Sequence, residues 1–96
     1  MRNLSKVKKN RYNRRGLKIG YWEFHHNGPL ESSGNFVNGK REGIWEFYHD
    51  NALLYSKGIF IDGVRDGIWD YYNKDSVELS YKKLYECGRY IRDIEL

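Results

Sequence analysis

Three tryptophans stand in one frame, and that frame constrains the chain more than anything else in it. Gly16-x-x-x-Gly20-x-Trp22 is followed by Gly39-x-x-x-Gly43-x-Trp45 and by Gly63-x-x-x-Gly67-x-Trp69. The stretches that begin there are near copies: GYWEFHHNG at 20–28, GIWEFYHDN at 43–51 and GIWDYYNKD at 67–75. A second half recurs as SGNFVNG at 33–39 and KGIFIDG at 57–63, and decays to KKLYECG at 82–88. Leu30 and Leu54 hold the same slot ahead of the first two of these. A fixed period of this length marks a small unit that cannot bury its own apolar side and must stack on its neighbours.

Each unit contains two short segments of alternating apolar and polar residues, rich in aromatic and β-branched side chains. Glycines and Asn-Gly or Asp-Gly pairs bound them, which is strand and hairpin punctuation. No stretch of the body has a helical period. The expected fold is therefore all-β: an antiparallel meander of about three consecutive β-hairpin repeats. It has about six strands, or seven if the segment from 89 to 96 adds one. Residues 16–96 form this repeat domain. Residues 1–15 form a basic N-terminal arm, expected to be disordered or helical.

Side chains alternate across a strand. One face of the sheet is thus expected to carry Trp22, Phe36, Trp45, Phe60, Trp69 and Leu84 as an interleaved apolar row, the structural core. The opposite, open face carries Tyr21, Ile44 and Ile68, then the acids Glu23, Glu46 and Asp70, then His25, Tyr48 and Tyr72. Tyrosine supplies contact area at low entropic cost, so this column is the expected partner-binding face. The plain alternative is a solvated face of an antiparallel sheet.

The pattern resembles the MORN-repeat variant family, whose units read G-x-W-x-x-Y-x-x-N-G-x-L followed by a G-x-Y/F-x-N-G half. The second unit carries the resemblance with Gly43, Trp45, Tyr48, Asn51 and Leu54, then Gly58, Phe60, Asp62 and Gly63. Ala52 stands where the family has glycine, the first unit is a residue short, and the third has Asp75-Ser76 in place of its turn. The resemblance covers about 16–90. It implies a small antitoxin-like protein of bacterial or phage origin, or an interaction module.

Charge is unevenly placed. Of seventeen Lys and Arg, seven lie in residues 1–15 with no acid, which leaves ten against thirteen acids in the remainder, a net of −3. Arg2, Lys6, Lys8, Lys9, Arg11, Arg14 and Arg15 would neutralise phosphates, so RNA or DNA binding by the arm with exposed tyrosines is the alternative function. A membrane partner is disfavoured, because only Leu4, Val7 and Tyr12 of the arm could insert. No apolar run approaches the ~20 residues of a membrane span, and none follows the basic N-terminus as in a secretory signal. A single cysteine excludes an internal disulfide and suits a reducing cytoplasm.

Catalysis and cofactors are not expected. Carboxylates on alternate strands lie ~10 Å apart and cannot converge on one cation. His26 and His49 belong to successive hairpins, and His25 faces away from His26. Cys87 reads as a small packed residue, and no glycine loop leads into a helix as a phosphate cradle requires. The expectation is a non-catalytic protein acting by protein–protein interaction, most concretely an inhibitor. The terminal segment YIRDIEL at 90–96 could also pair with a second copy.

Overall fold

The computed structural model describes residues 8–76 and 78–96. The described chain is all-β, with eight antiparallel strands in one meander sheet whose spatial order is the chain order. The strands are β1 (Arg11–Tyr12), β2 (Lys18–His25), β3 (Leu30–Val37), β4 (Lys40–Tyr48), β5 (Leu54–Ile61), β6 (Val64–Tyr72), β7 (Leu79–Glu86) and β8 (Arg89–Ile94). The first strand comes from the segment read as an arm. Arg11 pairs with Ile19 and Tyr12 with Lys18, so this part of the arm joins the sheet's edge, and residues 8–15 contain no helix. Residues 1–7, with Arg2 and Lys6, lie outside the described residues.

Three hairpins close through two-residue turns with positive φ at both positions: Asn38-Gly39, Asp62-Gly63 and Cys87-Gly88. That is the mirror-image turn whose twist matches paired strands. Each turn is tied to the preceding unit. The N–H groups of Gly39, Gly63 and Gly88 donate to the carbonyls of Lys18, Arg41 and Arg65, at 2.8–3.0 Å. Cys87, expected to be packed, is exposed instead, because the turn places it at the tip.

The glycine before each tryptophan lies inside a strand rather than at its start. Between β3 and β4 the register runs from Ser33↔Glu46 to Asn35↔Glu42, so β4 spends two extra residues there. Between β5 and β6 it runs from Lys57↔Asp70 to Ile59↔Asp66. Gly43 and Gly67 sit in these bulges at φ +77 and +72. Bulges increase the local twist, and these two fall at the same place in successive units.

The core lies on one face. Trp22, Phe36, Trp45, Phe60, Trp69, Tyr71 and Tyr85 are buried, with Phe24 and Phe47 packed against them. The packing repeats with the sequence: Phe36 meets Trp45 and Phe60 meets Trp69 edge-on, both at 5.1 Å and 86°. Trp45 and Trp69 are completely buried. Each lies against a strand glycine, Gly34 under Trp45 and Gly58 under Trp69, where no Cβ would fit.

One expected core residue is replaced by its neighbour. Tyr85, not Leu84, pairs with Gly67, as Phe60 pairs with Gly43 and Phe36 with Gly20. Leu84 pairs with Ile68 on the opposite face. A shift of one residue exchanges the two faces of a strand. Tyr85 enters the core with its hydroxyl 3.2 Å from that of Tyr71, so the two buried phenols satisfy each other.

Candidate binding faces

The open face divides into an aliphatic part and a polar part. Ile44 pairs with Ile59, and Ile68 with Leu84. Ile44, Ile59 and Ile68 converge on a shallow groove of about 190 Å³, whose other walls are Lys57, Gly58 and Asp70. The three isoleucines are 57%, 45% and 50% exposed, which is unusual for so much aliphatic surface in one place. Val37, Ile61 and Val64 extend the same face toward the turns and are also exposed. Sequence reasoning found Ile44 and Ile68 but missed Ile59 and Ile61. Their signal was present in GIFID, where they flank Phe60 on both sides.

The polar part is a row of alternating charge rather than a column of acids. Across the strands Glu23 pairs with Ser33, Ser33 with Glu46, Glu46 with Lys57, Lys57 with Asp70 and Asp70 with Lys82. The Lys82 ammonium lies 2.6 Å from Asp70 Oδ1, and the Lys9 ammonium 2.5 Å from Glu23 Oε1. The Lys9 hydrogen bond holds the Glu23 carboxyl below its ordinary value, and Glu23 in turn raises Lys9. Tyr21 donates to the other Glu23 oxygen at 3.0 Å. Burial, with Glu23 and Glu46 close by, holds the Tyr21 phenol above its ordinary value. Burial, followed by the charge of Glu46, does the same for Tyr48. The buried hydroxyl residue between these strands, Ser33, acts in the opposite direction on both phenols.

The remaining predicted site residues are scattered along one margin. His25 is exposed, with Nδ1 3.0 Å from the Gly28 carbonyl and Nε2 3.8 Å from Glu23. Tyr72 is half-buried and pairs with Leu79. His26 and His49, which belong to successive hairpins, line one small cleft with Glu31, Tyr48 and Asp50. His49 Nε2 is buried there without a hydrogen-bond partner. Among the described residues no group of three or more His, Cys, Asp or Glu comes together as a metal site would need. Among them, too, no helix is long and apolar enough to cross a membrane.

The aromatic face carries functional candidates that sequence reasoning passed over. Lys18, Arg41 and Arg65 each follow a turn glycine by two residues, and each lies over the tryptophan of its own unit at 5.3, 4.9 and 5.2 Å. Lys83 lies over Tyr71, Tyr81 and Tyr90 at 5.3–5.5 Å. Of the arm, Lys8, Lys9, Arg11, Arg14 and Arg15 are described and exposed. No family model, no curated protein and no solved structure matches the chain.

Proposed function

We propose that this chain is a non-catalytic binding protein that holds a protein partner on its open face, in the manner of an antitoxin-like or inhibitor protein. The observation that carries this reading is the exposed aliphatic strip around the Ile44–Ile59–Ile68 groove. An apolar centre with a polar margin is the anatomy of a protein interface. Here the margin is the alternating row from Glu23 to Lys82, which would set the register of a partner of complementary charge. Tyr48 and Tyr72 would add contact area along the same margin. The resemblance of the repeat to MORN-repeat variants adds the more concrete role, a bacterial or phage cytoplasmic protein that acts by occupying its target.

The test is capture of partners from nuclease-treated host lysate, with bound proteins identified by mass spectrometry. Ile59→Asp and Ile68→Asp place a charge at the centre of the strip without touching the aromatic core. Each is expected to weaken capture of the specific partner by tenfold or more, since an uncompensated charge at an interface centre costs well over 1.4 kcal/mol. Unchanged capture by variants with unchanged melting curves would refute the reading.

A further inference from the structure

The open face holds acids and lysines together, whereas the ring face gathers cations. Glu23, Glu42, Glu46, Asp66 and Asp70 belong to the open face by register. The opposite face carries Lys18, Arg41, Arg65 and Lys83 over the rings. Among the described residues none of these four cations has a carboxylate within 4 Å. Arg41 Nε is buried without a hydrogen-bond partner. Burial, and then the charge of Arg65, hold the Arg41 guanidinium below its ordinary value, so the two arginines repel each other. Asp93 is an acid on this face, at the β8 edge opposite Lys83, where it accepts a hydrogen bond from the Tyr90 hydroxyl at 2.7 Å.

Lys18, Arg41 and Arg65 hold equivalent places on β2, β4 and β6 and form a line of ~19 Å at ~4.8 Å per strand. Lys83 lies beside it on β7, level with Trp69 rather than with Arg65. Exposed rings close it at both ends. Tyr12 in β1 is 58% exposed and packs edge-on to Trp22. Tyr90, 52% exposed, takes in the last unit the slot that Lys18, Arg41 and Arg65 take in the others.

We propose that this face binds single-stranded nucleic acid, with phosphates along Lys18, Arg41, Arg65 and Lys83 and bases stacked on Tyr12 and Tyr90. A line of unneutralised cations calls for a line of anions, and exposed rings stack on any base. A bilayer surface fits less well. It needs side chains that insert, and here Trp45 and Trp69 are buried while Ile44, Ile59, Ile61 and Ile68 lie on the other face. The site is independent of the open-face reading and can stand or fall without it.

The experiment is fluorescence anisotropy of the full chain with labelled single-stranded RNA and DNA of about 12 nucleotides, over a range of salt. Binding is expected to weaken with salt by a log–log slope of about 0.7 per phosphate contact. Arg41→Gln with Arg65→Gln should reduce that slope by about 1.4 and weaken binding at least tenfold at low salt. Tyr90→Ala should weaken binding about tenfold and leave the slope alone. Circular dichroism melts check that each variant folds. If the arginine pair does not fold, Lys18→Gln with Lys83→Gln supplies the same readout. No binding at low salt, or a slope that only Arg14→Gln with Arg15→Gln lowers, would overturn the proposal. So would equal competition by polyglutamate or by phosphatidylserine vesicles at matched charge with no effect of Tyr90→Ala.

Discussion

Gly58→Ala should be among the most damaging of the smallest changes this chain can carry. The φ of Gly58 is one that any residue can adopt, so the penalty is steric alone. A Cβ there would stand 2.1 Å from Trp69 Cδ2, where carbon atoms prefer ~3.5–4.0 Å. The ring has nowhere to go. Trp69 is completely buried, with Phe60 at 5.1 Å, Phe47 at 6.0 Å, Tyr85 at 6.3 Å and the Arg65 guanidinium at 5.2 Å. Overpacking costs ~1–3 kcal/mol, and the upper end applies to a site that cannot relax. Replacing a strand glycine returns ~0.5–1 kcal/mol. The net loss is thus about 2 kcal/mol, in a domain whose total stability is on the order of 5–14 kcal/mol. At ~4–8 °C per kcal/mol, the melting temperature should fall by about 8–16 °C. Thermal melts by circular dichroism measure it, and a denaturant titration should show a lower midpoint at unchanged slope. Lys83→Ala is the control. Lys83 occupies the slot of Gly58 one unit later and pairs with Trp69, but no fourth tryptophan stacks there. That change removes only a cation–ring contact of ~0.5–1 kcal/mol. If Gly58→Ala melts within about 3 °C of the parent, the close approach of the ring is not why glycine stands there.

Two further outcomes follow from the core and the turns. Burial, and then the Tyr85 hydrogen bond, hold the Tyr71 phenol well above its ordinary value of 10.0. The folded chain therefore keeps this proton while the unfolded chain releases it, so stability is intact below about pH 10 and declines as pH rises above it. Melts from pH 8 to 11.5 should show that decline, and Tyr71→Phe should make it less steep, the raised Tyr21 and Tyr48 phenols accounting for what remains. Cys87 holds φ +50 in a turn where its counterparts are Asn38 and Asp62. Asparagine tolerates that conformation better, so Cys87→Asn should raise stability by about 0.5–1 kcal/mol, seen as a melting temperature higher by a few degrees.

Much of this architecture is legible in the residue order. The glycine–tryptophan frame set the repeat, its alternation set the strands, and the Asn-Gly and Asp-Gly pairs set the hairpin turns. Those are local matters: a strand residue's face follows from parity, and a tight turn needs residues that accept positive φ. Trp22, Phe36, Trp45, Phe60 and Trp69 therefore went into the core as their spacing requires. What tertiary structure alone decided is where parity is reset and which side chains become neighbours. The bulge in β8 turns Tyr90 to the aromatic face and Arg92 to the other, although they are two positions apart and would share a face in a regular strand. Pairing in register put Lys57 between Glu46 and Asp70 and Lys82 beside Asp70, a row that reads as a bare acidic column only while β2, β4 and β6 are considered without the strands next to them. It also drew Lys18, Arg41 and Arg65 onto the rings and left the isoleucines bare on the opposite side. Neither face could be read from one strand, because each combines residues of several strands, and only the hydrogen-bonded register of the sheet brings them together.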